Sequence, residues 1–433
     1  MWFESTRPSH SWTENNHMNK NIAAIILAAG KGERMKSAKP KVLHPICGRP
    51  MLGYVLDLAG DLRIKKSVVV LGHKAAEVKK YLRPGVKVAI QKRLAGTADA
   101  VKVALSALGN FKGTVVILYA DIPLLKKETI QGLIEHHIKN NLDATVLTAD
   151  LAKPKGYGRI LRDKYASISG IIEEKDADDF QKNIKEINTG IICFNKDKLS
   201  AILRRIRPNN RKREYYLTDA IGILYKSAGL IESVKIQDIG EALGINSRID
   251  LALANKIMHK RINDKLMLDG VSIVDPGSTF IGWGAKIGQE TVIYPFTVIE
   301  NDVKIGKRCS IGPFAHLRDG SVISDDCVVG NFLEVVRSRL CAKTLAKHLG
   351  YIGDARIGRG VNIGAGTVVA NFDGKKKNTT VIKDNALIGS DTVLVAPVNI
   401  GKGARTGAGS VILKNVASGA TVVGVPARPI KKK

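Results

Sequence analysis

From Ile281 onward every sixth residue is aliphatic: Ile281, Ile287, Ile293, Ile299, Ile305, Ile311, Leu317, Ile323, Val329 and Val335. A glycine often follows, as at Gly282, Gly288, Gly306, Gly312 and Gly330. An α-helix repeats after about 3.6 residues and a half-buried strand after about 2, so neither yields this spacing. A left-handed parallel β-helix does: each triangular coil has three six-residue sides, and the aliphatic residue of each side stacks inward. The reading slips, then resumes with Tyr351, Ile357, Ile363 and Val369. After a second interruption at 370–381 it runs Ile382, Ile388, Leu394, Ile400, Thr406 and Ile412.

The first half obeys another rule. Short β-branched runs at 23–29, 67–72, 86–91 and 114–121 read as buried strands. Between them, 51–62, 97–108 and 128–141 carry apolar residues at the three- and four-residue spacing of helices. This alternation predicts an α/β, Rossmann-like domain with a mostly parallel sheet. Ligands gather at the carboxyl ends of such strands, where Gly30 and Asp121 fall. Residues 248–270 read as one connecting helix closed by Gly270. Residues 1–19 read as a loose extension, with the true start at Met1 or Met18.

Bulk properties narrow the function. The 433 residues suffice for two or three domains, and no apolar run approaches the roughly 20 needed to span a bilayer. The five cysteines are scattered without a CxxC pair, as expected of reduced thiols in the cytoplasm. The net charge of +28 is spread along the chain, aromatics are only 5%, and no basic stretch is interleaved with rings. That favours a lysine-rich surface with sites for anionic metabolites over a nucleic-acid surface.

The stretch LAAGKGERMKSAKPKVL, Leu27 to Leu43, joins two glycines to one arginine and four lysines. It is neither GxxxxGK[ST] nor GxGxxG. Glycines let backbone N–H groups approach phosphate oxygens, and Arg34 and Lys41 can neutralise their charge.

With the motifs that follow, the pattern resembles the sugar-1-phosphate nucleotidylyltransferases. Within them it is similar to the bacterial bifunctional N-acetylglucosamine-1-phosphate uridyltransferases and glucosamine-1-phosphate N-acetyltransferases. The resemblance rests on LAAGKGERM, PKVLH, QKRLAGTADAV, YADIPLL, GYGRI, IIEEKDA, INTGI, EYYLTDAI and GINSR, in that order. In the second half it rests on IGPFAHLR, GNFLEV, NIGAGTVVANFDG, GSDTVLVAPV and GVPARP. It implies a nucleotidyltransferase domain at 20–247, a linker helix at 248–270 and an acetyltransferase β-helix at 271–433.

The first implied reaction joins N-acetylglucosamine 1-phosphate to UTP, with Mg2+ held by Asp121 and Asn246. Leu27, Ala28, Ala29, Gly30, Gln91, Gly96 and Thr97 would surround the uridine and phosphates. Arg34 and Lys41 would stabilise the transition state, and Tyr119, Ala120, Gly158, Glu173 and Asn188 would line the sugar. Ala120 stands where the family usually has glycine.

The second implied reaction moves acetyl from acetyl-CoA to glucosamine 1-phosphate. His348, lying where the six-residue phase slips, would be the base, with Glu334 orienting its imidazole. Arg318, Tyr351, Asn362, Asn371, Phe372 and Lys377 would bind the sugar phosphate. Ala365, Ser390, Ala408 and Arg428 would flank the coenzyme, Arg428 serving for an arginine that some members carry near Gly424. The family's association implies a homotrimer. Val336 replaces a phosphate-contacting lysine and Phe372 a tyrosine. Losing one charge-assisted contact costs about 1.5–3 kcal/mol, for which Arg318 or Arg339 would compensate, since Arg337 on a strand should face away. The alternative is a uridyltransferase whose β-helix only trimerises.

Overall fold

The computed structural model describes residues 21–430; the expected extension 1–19 and Met18 lie outside it. Contacts divide the chain into two units: up to Ile46 with Pro50–Ala254, and Cys47–Arg49 with the chain from Asn255 on. Helix Arg248–Leu268 runs across that division, and Gly270 follows it with a left-handed φ of 94°. Among the described residues no helix is long and apolar enough to cross a membrane.

The first unit is built on a twisted sheet. Its central path runs Ile231–Lys235, Ala144–Asp150, Glu186–Asn195, Thr114–Tyr119, Ile22–Ala28, Lys66–Leu71 and Lys87–Ile90. Ile22–Ala28 pairs in parallel with both Thr114–Tyr119 and Lys66–Leu71, while Glu186–Asn195 runs antiparallel to its neighbours. All seven residues of Ile22–Ala28 are buried, as its unbroken apolar run requires in a two-sided sheet. Helices Met51–Asp61, Thr97–Leu108 and Lys127–Lys139 supply apolar faces to the two cores flanking the sheet.

The order of strands reverses around Ile22–Ala28. The next two strands stack to one side of it, and Thr114–Tyr119 lies on the other. Such a switch point opens a crevice at the carboxyl ends, here at Leu27 and Tyr119.

The second unit is a coil of three parallel sheets. One stacks Ile293, Ile311, Val329, Ala346, Ile363 and Ile388 in register; the next stacks Ile281, Ile299, Leu317, Val335 and Ile352. The third stacks Ile287, Ile305, Ile323, Leu340, Ile357, Ile382 and Ile400. These residues form one continuous core, each fully buried side chain contributing about 1.5–3 kcal/mol.

One expectation needs correction. The inward residue after the slip is Ile352, 1% exposed, not Tyr351. The step shortens to five residues twice, from Val335 to Leu340 and from Ile352 to Ile357. Both shortenings fall at one corner, where Arg337 and Asp354 adopt left-handed φ values of 45° and 51°. His348, between inward Ala346 and Ile352, lies on a side of regular length.

Candidate functional site

In the first unit the loop after Ile22–Ala28 folds back through the short turn Glu33–Met35. Gly32, with φ 66°, must be glycine: a Cβ there would stand 2.5 Å from Cβ of Lys41. That close passage brings Lys41 under the crevice. Its Nζ donates to Oδ2 of Asp121 at 2.5 Å and to Oδ1 of Asn246 at 2.8 Å. Asp121 lies two positions past the end of strand Thr114–Tyr119, and its carbonyl accepts from Ile245 N–H at 2.9 Å. Asn246 is held by Asp250, whose Oδ2 takes the N–H groups of Asn246 and Ser247 at 2.9 and 2.8 Å.

Two side-chain oxygens, one anionic, thus converge on a single cation position. This donor set fits a hard divalent cation that draws its remaining ligands from phosphate and water. Asp121 and Asn246 would hold it, and Lys41 occupies the same position with its ammonium group.

The other expected residues of this unit have the following surroundings. Ala120 N–H donates to Leu27 O at 3.0 Å, and the Ala120 methyl is taken up in the core, so the change from glycine adds nothing to the crevice wall. Ala28 and Ala29 are buried, and Ala29 O accepts from His73 N–H at 3.1 Å. Gly30 is exposed with open space where a Cβ would go. Buried Gln91 donates to Gly96 O at 3.0 Å and to Oδ2 of Asp99 at 2.9 Å. Thr97 Oγ1 accepts from Leu217 N–H at 2.9 Å. Arg34 is exposed and without an ion-pair partner among the described residues.

Toward the antiparallel edge, Gly158 pairs with Asn188, whose Oδ1 accepts from Gly190 N–H at 2.9 Å. Glu173 receives the Thr218 hydroxyl at 3.1 Å, and burial raises its pKa. Burial, then the charges of Glu173 and Asp121, push the Tyr119 phenol far up, so it stays neutral. Asp99 and Thr218 lie inside the motifs QKRLAGTADAV and EYYLTDAI without being singled out by them, and Asp250 falls just past GINSR.

In the coil, register decides what stands together. Ala346, Ile363 and Ile388 stack as inward residues, and two positions after each come His348, Ala365 and Ser390. Asp391 N–H reaches Ala365 O at 2.6 Å and Gly409 N–H reaches Ser390 O at 2.8 Å, continuing the column to Ala408. Strand Arg405–Thr406 pairs with Thr421–Gly424, which brings Gly424 above Ala408; Arg428 pairs with Val423 beside it. One corner therefore presents an exposed imidazole at the foot of a column of small residues, spaced about 4.8 Å per coil.

The adjoining wall carries the polar residues. Arg318 donates to Oε1 of Glu334 at 2.9 Å, and Glu334 pairs in register with His316 and Tyr351. Glu334 is thus bonded to Arg318, and no hydrogen bond joins it to His348 among the described residues. At the opposite, shortened corner Arg337 Nε and Nη2 donate to Asp354 at 2.7 and 2.8 Å, and Asn371 Nδ2 donates to the same carboxylate at 2.5 Å. Arg337 thus does not face away; its left-handed backbone turns it onto the corner. Arg339 belongs to the third sheet, paired with Arg356. Asn362 lies on the first sheet, and Phe372 and Lys377 are exposed across from each other in the inserted loop. Val336 is 2% exposed and offers no charge.

Residues 24–185 match the MobA-like NTP transferase domain, and 284–319 and 379–414 match the bacterial transferase hexapeptide repeats. The chain is 42% identical to the bifunctional protein GlmU of Geobacillus sp. (strain WCH70), covering 94% of this chain and 96% of that one. The chain belongs to the bifunctional GlmU family. The GlmU protein of Thermosipho africanus (strain TCF52B) is 43% identical over 91% of this chain and 93% of its own. That of Lactococcus lactis subsp. lactis (strain IL1403) is 42% identical over 93% and 95%. Matches to GlmU proteins therefore run through both units, the sheet with its crevice and the three-sided coil.

Proposed function

We propose that this chain makes UDP-N-acetylglucosamine in two steps, one in each unit. In the coil, glucosamine 1-phosphate takes an acetyl group from acetyl-CoA. The amine must be neutral to attack the thioester carbonyl, and His348 accepts its proton. Ala365, Ser390 and Ala408 leave a smooth slot for the coenzyme's arm, with Arg428 at its far end. Arg318, Tyr351, Asn362 and Asn371 hold the acceptor, with Phe372 and Lys377 at its margin.

In the sheet unit, N-acetylglucosamine 1-phosphate attacks the α-phosphate of UTP and pyrophosphate leaves. The sugar phosphate is already a competent nucleophile, so alignment and charge compensation are what the protein supplies. Leu27 to Gly30, Gln91, Gly96 and Thr97 seat the nucleotide; Tyr119, Gly158, Glu173 and Asn188 seat the sugar. Bound Mg2+ offsets charge on the phosphates. Lys41 then turns from Asp121 and Asn246 to the phosphates, joined by Arg34.

The observation that carries the reading is the convergence of Asp121 and Asn246 on one cation position at the switch point of the sheet. The coil's acceptor wall is open on its outer side, and a second and third copy of the chain would close it, giving a homotrimer. The site of action is the cytoplasm.

Assay of both half-reactions on the purified chain tests this. Asp121→Ala should abolish pyrophosphate release and spare thiol release from acetyl-CoA, while His348→Ala should lower thiol release about 100-fold or more and spare uridylyl transfer. Pyrophosphate release that survives Asp121→Ala would refute the first assignment.

A further inference from the structure

Val336 lies in the column between Arg318 on the coil below and Gly353 on the coil above, and is buried. The position of Val336 on the wall thus carries no charge beside Arg318. One step around the shortened corner stands Arg337, exposed, with its side chain running over Gly320. Arg318 and Arg337 both stand within electrostatic reach of the Tyr351 side chain. Its hydroxyl and the Asn371 amide both lie within 2.6 Å of the place where a Gly353 Cβ would stand. Any larger residue at Gly353 would close this convergence. Asp354 ties the cluster together by accepting from Arg337 and Asn371.

We propose that Arg337 and Arg318 together grip the phosphate of an amino-sugar phosphate over Tyr351, Arg337 supplying the charge that Val336 lacks. The proposal rests on the acetyl-transfer reading above and adds a specificity-determining residue to it. Arg337 spends Nε and Nη2 on Asp354, which leaves the N–H groups of Nη1 open. Asn371 also donates to Asp354, so moving part of the Arg337 hold onto a phosphate leaves the carboxylate with a partner. The guanidinium fork fits phosphate in bidentate fashion, which an ammonium group does not. Asp354 keeps the fork aimed at the wall between acceptors. Arg339 takes no part, because it stands on another sheet.

Calorimetric titration of the full chain with glucosamine 1-phosphate, run without coenzyme, tests the proposal apart from acetyl transfer. Arg337→Ala should weaken binding about tenfold or more. Arg337→Lys should recover part of the loss, since it keeps the charge and loses the fork. Titration with unphosphorylated glucosamine separates recognition from mere support of the corner. The ratio of the two affinities should collapse in Arg337→Ala. Equal weakening toward both sugars, or none toward either, overturns the proposal. Should the wild type bind the phosphate in this manner and yet transfer no acetyl group, the acetyltransferase reading falls and Arg337 keeps its role. A wild type that binds no glucosamine 1-phosphate overturns both.

Discussion

The Nζ of Lys41 stands 2.5 Å from Oδ2 of Asp121, with side chains only 10% and 25% exposed. On the proposed reading, a divalent cation would compete with this ammonium group for one carboxylate. Removing the lysine should free the site. Lys41→Met is expected to bind Mn2+ without nucleotide about tenfold or more tightly than the wild type, by loss of like-charge repulsion. Titration followed by the spectrum of free Mn2+ measures this. Unchanged affinity would mean that the ammonium group is no competitor.

Gly96 sits at φ 122°, and a Cβ there would be 2.4 Å from the Tyr215 carbonyl oxygen. Ala98 N–H donates to that same oxygen, and Tyr215 N–H to Ala95 O, so the loop cannot retreat. Gly96→Ala should lower stability by about 1–3 kcal/mol and raise the KM for UTP. Urea denaturation and initial rates give the two numbers.

His137 is 2% exposed and within 2.9 Å of the Thr145 hydroxyl. Burial lowers its pKa to about 4 from 6.5, against the opposing pull of Asp143. Folding thus favours the neutral ring. The stability this confers is complete above pH 6.5 and drains away as the pH falls toward 4, by on the order of 3 kcal/mol. His137→Leu should flatten the fall in unfolding free energy across that window. A slope identical to the wild type would place the titration elsewhere.

Leu340 is fully buried at the first shortened side, whereas Leu349 is 55% exposed on a corner. Leu340→Ala should cost about 2–5 kcal/mol, and Leu349→Ala about 0.5 kcal/mol or less in the isolated chain. Comparable losses in both would argue that Leu349 is covered in solution.

Much was legible in the residues alone. The six-residue period specifies the coil because one inward aliphatic residue per side is a local demand, repeated until no other geometry satisfies it. The alternation of β-branched runs with helical spacing likewise announces the sheet. Register was not legible: Tyr351 and Ile352 are both apolar enough to point inward, and only the two shortened corners select Ile352. The hold of Lys41 on residues 80 and 205 positions away, the pairing of Glu334 with Arg318, and the turn that sets Arg337 on Asp354 arose only in three dimensions. Periodicity is written between neighbours, whereas these contacts depend on how far each side of a coil or sheet is displaced. A single missing residue changes that displacement.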